Sequence, residues 1–223
     1  KIFNALKKYI DLNGPPSKDF LLVASKYLEP SKERTELELW ADITEKGREG
    51  YDTNILKNHL NIYNIVSKYN IKMDFGHFFE LASPITPRYF SICSSSKTSP
   101  QEIHIAALHR KYTINEGKSE FQGLCTRWLK SIKDNTEIRL RIFSRTSKFF
   151  LPKDLNVPII MIGPGTGIAP FIAFIEDRLF TSKEKGIPFG KNILFSGFRS
   201  RTKDFIFEER LKEFVSQGAV QLF

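Results

Sequence analysis

The sequence predicts an α/β protein joined to a small antiparallel β-barrel, with a helical segment ahead of both. Three observations carry that reading. Apolar residues recur at helical spacing through residues 1–83. After Pro87 the period shortens toward that of strands. From Pro158 onward, short apolar runs alternate with helical stretches, the order that builds a parallel sheet with crossovers.

Each element has its own signal. Ile2, Phe3, Leu6, Tyr9 and Ile10 follow helical spacing, and Asn13-Gly14-Pro15-Pro16 ends that helix. Ser17 caps a second helix carrying Phe20, Leu21, Val23, Ala24 and Leu28, closed before Pro30. Ser31 caps a third, with Leu37 and Trp40. One longer helix carries Tyr51, Ile55, Leu56, Leu60, Tyr63 and Val66, and Asp74 caps a short one with Phe75, Phe78, Phe79 and Leu81. Pro84 and Pro87 mark a boundary. Beyond it, Arg88–Ser94, Glu102–Arg110 and Glu137–Ser144 read as barrel strands. Gly123-Leu-Cys-Thr126 opens a short helix with Trp128 and Leu129 on one face. The α/β part then runs strand (Ile159 to Ile162), Gly-rich turn, helix (Phe171 to Phe180), strand (Asn192 to Phe198), helix (Lys203 to Val215). A last strand begins at Ala219 and is cut short at Phe223. The implied domains are 1–83, 84–152 and 153–223, the last two partial.

The stretch Gly163-Pro-Gly-Thr-Gly-Ile-Ala-Pro170 is the point where chemistry is most legible. A β-branched run ends at three glycines within five residues, and a helix starts at Pro170, where a missing N–H costs nothing. Strand, tight turn and helix N-terminus together aim backbone donors and positive dipole at a phosphate. Gly165, Thr166 and Gly167 are the candidate contacts. The spacing is not the Rossmann fingerprint, because the third glycine position is occupied by Ile168 or Pro170. No Lys-Ser/Thr follows, so it is not a Walker loop either.

Composition narrows the partners. With 223 residues the chain suits one large domain or two modest ones, and 41% hydrophobic residues supply a real core. No run approaches the roughly 20 apolar residues of a membrane span. Cys93 and Cys125 lack metal-site spacing, His59, His77, His104 and His109 are scattered, and no metal site is predicted. The net charge of +9 calls for an anionic partner. Nucleotide phosphates or an acidic protein satisfy it, and no RNA- or DNA-binding signature is present. Because the chain opens on Lys1 rather than Met, it is expected to be a fragment.

Three blocks, in fixed order, resemble the diflavin reductases of the ferredoxin–NADP reductase-like superfamily. Arg88-Tyr89-Phe90-Ser91 resembles the Arg-x-Tyr-Ser flavin motif, and Gly123-Leu124-Cys125-Thr126 the segment that holds the FAD pyrophosphate. Gly163 to Phe171 resembles the loop for the nicotinamide nucleotide. Asp11-Leu-Asn-Gly-Pro-Pro16 and Phe78-Phe79-Glu-Leu81 are similar to that group's connecting domain, and Ala173-Phe-Ile-Glu-Asp-Arg178 to the branch that serves cytochrome P-450.

The resemblance implies a helical connecting insert, an FAD-binding barrel and an NADP-binding α/β domain. It implies FAD and NADP as cofactors, and FMN in a domain outside this chain. Arg88 would meet a flavin phosphate, Phe90 would stack on the ring, and catalytic Ser91 would reach the flavin N5. Tyr89, Tyr112 and Gly123 to Thr126 would contribute further FAD contacts. Gly165, Thr166, Gly167 and Arg199 would hold the second nucleotide. The partners implied are NADPH, an FMN domain, and heme proteins such as cytochrome P-450 or cytochrome c. The site implied is the cytoplasmic side of the endoplasmic reticulum membrane, or the cytoplasm. Relatives serving Fe–S assembly, methionine synthase or sulfite reductase are the alternatives, along with a nucleotide-binding fragment without turnover. Phe90 departs from the family's usual tyrosine. The family's later NADPH-gripping residues, catalytic Cys and Asp, and terminal aromatic are expected beyond Phe223.

Overall fold

The computed structural model describes residues 8–109, 111–114, 119–133 and 137–223, without the side chains of Tyr112, Ile114 and Ser119. Its contacts group into two compact units, one of Lys1–Arg88 with His109–Ser131 and one of Tyr89–Leu108 with Ile132–Phe223.

The first unit is mainly helical, and its caps explain where each helix starts. Helix α1 (Lys18–Ser25) begins as Ser17 Oγ accepts the Phe20 N–H at 3.0 Å. Helix α2 (Lys32–Ala41) begins with Ser31 Oγ accepting from Arg34 at 3.2 Å. Each such cap satisfies a donor that would otherwise have no partner, worth about 1 kcal/mol. Phe20, Leu21, Leu37, Ile55, Ile62 and Ile65 are fully buried and form the core. Most of the predicted opening helix lies outside the described residues. Within the described part, Ile10 pairs with Pro84 in an antiparallel bridge.

The expected long helix from Tyr51 to Val66 is corrected. It is split into α3 (Glu45–Tyr51), a π turn (Asp52–Leu56) and α4 (Ile62–Lys68). Asn61 and Asn64 cap each other's backbone N–H groups at 2.8 and 3.0 Å, and His59 takes φ 50 just before them. That reciprocal box starts a new helix, while the apolar stripe continues across the break. Asp74 caps α5 (Phe75–Leu81) as expected. The unit is completed by a hairpin of β1 (Lys111–Ile114) and β2 (Ser119–Gln122), antiparallel, and by α6 (Leu124–Ser131).

The second unit holds the α/β part. β3 (Ile159–Pro164), β4 (Asn192–Gly197) and β5 (Gln221–Leu222) form a parallel sheet in that order. A 3-10 turn (Gly165–Ile168) leads from β3 into α7 (Ala169–Lys185). The helix starts one residue before Pro170 and runs past Phe180, stopping at Gly186 with φ 64. The predicted helix from Lys203 to Val215 is corrected to two, α8 (Arg201–Asp204) and α9 (Glu208–Ser216). Phe207 breaks it at φ 62, while Phe205, Ile206 and Phe207 pack on the core. Met161, Leu194, Ile168, Ile175 and Leu211 are nearly or fully buried between sheet and helices. Burying each such side chain stabilises by roughly 1.5–3 kcal/mol. Arg178 is also buried, and its Nη2 donates to Val157 O at 2.9 Å, fixing the entry to β3.

The predicted barrel strands are not reproduced among the described residues. Arg88–Ser94 and the described part of Glu102–Arg110 (Arg110 lies outside the described residues) form no ladder. They meet at an Ile92–Ile105 bridge, with Cys93 N–H donating to His104 O at 2.9 Å and His104 N–H donating to Ser94 Oγ at 3.1 Å. Glu137–Ser144 has no strand pairing. Alternation in sequence reports an apolar face, whereas a ladder also needs a neighbour in register.

Candidate functional site

Residues 88–91 lie at the division between the two units. Arg88 is held within the first. Its Nη1 donates to Thr86 Oγ1 at 2.8 Å and its Nη2 lies 3.3 Å from Asp11 Oδ2. Asp11 is itself nearly buried, and its Oδ1 accepts the Asn13 N–H at 3.1 Å. The guanidinium is therefore fixed by the turn at 11–14, with Nε left for another acceptor.

In the same unit, Gly123 joins β2 to α6. A side chain there would meet Thr126 Oγ1 at 3.0 Å, and the Arg127 N–H donates to Gly123 O at 2.9 Å. Leu124, Cys125 and Thr126 form the first turn of α6, all half-buried. The first turn of a helix leaves backbone donors that suit an anion. The Tyr112 side chain lies outside the described residues.

In the second unit, one cleft of about 1320 Å³ gathers the rest of the flavin motif and the nucleotide helix. Tyr89, Phe90 and Ser91 line it, with the Ser94–Ser96 turn, Arg145 and Lys148. Pro170, Ala173, Phe174 and Asp177 of α7 line it too. Tyr89 meets Phe143 edge-on at 5.6 Å between ring centres. Phe149 packs on Phe171 and Phe174, so the 145–151 segment is anchored to α7. Sequence reasoning missed this segment. Its cations interleaved with Phe149 and Phe150 were the available signal.

The glycines of the turn have separate jobs. A Cβ at Gly163 would fall 2.7 Å from Ile168 Cα, so glycine there lets the turn fold back onto β3. Gly165 takes φ 54, a backbone that side chains oppose. Thr166 and Gly167 are exposed, and no side chain caps α7. Arg199 leaves the sheet at the same carboxyl edge, because Pro164 and Gly197 are register partners. Ligands of open parallel sheets sit beyond that edge. The Arg199 Nε bonds Asp204 at 2.9 Å. That bond and the Ser200 N–H hold the Asp204 carboxyl below its usual range.

Comparison with known families agrees with this geometry. Residues 1–128 match the family model described as the FAD binding domain. The chain belongs to that family. Residues 161–221 match the oxidoreductase NAD-binding domain, which takes in β3 from Met161 onward, the glycine turn and α7. Among curated proteins, the chain is 34% identical to NADPH–cytochrome P450 reductase of Drosophila melanogaster, over 98% of its own length and 32% of the relative's. It is 34% identical to the Musca domestica protein of the same name, again over 98% and 32%. The Sus scrofa protein is 33% identical over 97% and 32%. The chain thus spans about a third of the length of the curated relatives it matches. Recognition of an oxidoreductase with FAD- and nicotinamide-nucleotide-binding domains is therefore correct. Among the described residues, no helix is long and apolar enough to cross a membrane, and no group of metal-ligating side chains occurs.

Proposed function

We propose that the protein containing this chain takes a hydride from NADPH onto FAD. Electrons then pass through FMN, bound outside this chain, to a heme protein such as cytochrome P-450 or cytochrome c. FAD, held by Arg88, Phe90, Ser91 and the first turn of α6, would supply a two-electron acceptor at N5 that passes electrons on singly, with NADPH as the hydride donor leaving as NADP⁺. The observation that carries the reading is the cleft in which Phe90 and Ser91 share walls with the first turns of α7.

The donor set fits both nucleotides. Arg88 offers a charged fork with Nε open, suited to a phosphate oxygen. The first turn of α6, with Thr126, supplies neutral donors for a pyrophosphate. Phe90 gives a ring face for the flavin, and Ser91 a hydroxyl for N5. Tyr112 is a further FAD contact. Gly165, Thr166 and Gly167 bring the uncapped start of α7 to the nicotinamide nucleotide, and Arg199 adds charge at the same sheet edge. The protein's part is placement and exclusion of water, not the redox chemistry itself.

In this reading residues 1–83 are a connecting insert, 84–152 belong to an FAD-binding barrel and 153–223 to the NADP-binding domain. The net charge of +9 favours docking of an acidic FMN domain or acceptor. In this reading the protein works on the cytoplasmic side of the endoplasmic reticulum membrane, with the cytoplasm as the alternative. The test is NADPH-dependent reduction of cytochrome c by the full-length protein, with the bound flavins identified after release. FAD, FMN and sustained reduction are expected. A preparation that binds both nucleotides but reduces no acceptor would be a nucleotide-binding module instead.

A further inference from the structure

Among the described residues, a polar cluster is built around Glu176 on α7. Its side chain is 10% exposed, and its two oxygens serve different elements. Oε2 accepts the Ser95 N–H at 3.0 Å and the Thr98 hydroxyl at 3.2 Å. Oε1 accepts from Arg210 of α9, at 2.9 Å from Nη2 and 3.3 Å from Nε. The next residue reinforces the join. Asp177 takes Lys97 Nζ at 3.0 Å, and the same ammonium reaches Thr181 at 2.7 Å.

These bonds reach a particular place. The 94–99 turn follows directly on the flavin motif, and Ser94, Ser95 and Ser96 line the cleft with Phe90 and Ser91. The helix that Glu176 belongs to is the one whose N-terminus opens from the glycine turn. A buried carboxylate is costly unless it is fully bonded. Here it is bonded, and it ties flavin-side backbone to nucleotide-side helix without lining the cleft itself.

We infer that Glu176 is a positioning residue that sets the distance between the two cofactors. It clamps the Ser95 turn onto α7, and so fixes where the flavin motif stands relative to the start of that helix. This rests on the function proposed above. Transfer between bound partners is steep in geometry, and a misplacement of about 1 Å can cost about a hundredfold. Loosening the clamp should therefore slow hydride transfer more than it weakens either ligand.

The test is anaerobic stopped-flow reduction of FAD in the full-length protein at saturating NADPH, comparing wild type, Glu176→Gln, Glu176→Ala and Thr98→Val. The alanine variant is expected to lose tenfold or more in the single-turnover rate constant, with flavin content and final bleaching amplitude retained. Glutamine keeps an acceptor for the Ser95 N–H and should recover most of that loss. Thr98→Val removes the hydroxyl that reaches both Ser95 O and Glu176 Oε2 while leaving the carboxylate in place, and should slow the step about threefold, which decides the matter if Glu176→Ala fails to fold. A merely structural role would lower the amplitude and leave the rate constant of the folded fraction unchanged. Wild-type rate constants in both Thr98→Val and Glu176→Ala, or in Thr98→Val alone where Glu176→Ala does not fold, would overturn the inference. A wild-type flavin that NADPH does not bleach would overturn the proposed function along with it.

Discussion

Arg88 Nη2 stands 3.3 Å from Asp11 Oδ2, a contact between residues 77 positions apart in the chain. It fixes the one cation of the flavin motif before any phosphate arrives. Pre-ordering a charged fork lowers the entropy lost on binding. Removing it should cost a charge-assisted bond of roughly 1.5–3 kcal/mol. Arg88→Ala is therefore expected to purify depleted of FAD, read from the flavin-to-protein absorbance ratio. Full flavin content at low FAD concentration would contradict the assignment.

Gly163 and Gly167 separate packing from exposure. A methyl at Gly163 would press on Ile168 backbone at 2.7 and 2.9 Å, where neither side can rotate away. Gly163→Ala should lose about 1–3 kcal/mol of stability, seen as a lower urea midpoint. At Gly167 the nearest atom is Pro164 Cδ at 3.6 Å, an ordinary contact. Gly167→Ala should shift stability by under about 0.5 kcal/mol. Equal midpoints for the two variants would show that the turn is not packed this way.

The two cysteines should differ in reactivity. Burial pushes the Cys93 thiol above its ordinary value, and the charge of Glu176 adds to that shift. Less thiolate means slower alkylation at neutral pH. Cys125 is half-buried in the first turn of α6 and should react first. Bound FAD is expected to protect it if that turn holds the pyrophosphate. Mass spectrometry after limited iodoacetamide treatment reads both. Equal labelling of Cys125 with and without FAD would remove that turn from the site.

Phe90 tests the flavin face. Stacking needs only the ring, and aromatic contacts are worth about 0.5–1.5 kcal/mol beyond burial. Phe90→Ala should weaken FAD binding about two- to tenfold, while Phe90→Tyr should bind as well or slightly better. Fluorescence quenching titrations measure all three. Alanine binding as tightly as phenylalanine would make Phe90 a packing residue.

Local chemistry was legible in the sequence wherever a short motif settles its own backbone. Ser17, Ser31 and Asp74 cap the helices they are expected to cap, and the order strand, glycine turn, helix holds from Ile159, with the helix longer at its C-terminal end than the expected Phe171–Phe180. Breaks were less visible. The Asn61–Asn64 box and the left-handed Phe207 interrupt stripes whose apolar spacing runs straight through. Barrel pairing was not legible, because the alternation at 137–144 names a face and no neighbour. The bonds from Ser95 to Glu176, 81 positions apart, and from Arg88 to Asp11 had no sequence signal beyond residue type.

The most direct measurement is the flavin absorbance near 450 nm after anaerobic mixing of the FAD-loaded protein with NADPH, in wild type and Ser91→Ala. Those wavelengths are roughly where an oxidised flavin cofactor absorbs and a reduced one does not. The account predicts rapid bleaching in wild type. It predicts a slower rate constant with unchanged flavin content in Ser91→Ala, because a hydroxyl acting at N5 contributes mainly in the transition state. A wild-type flavin that stays oxidised with both nucleotides bound would contradict hydride transfer in this cleft.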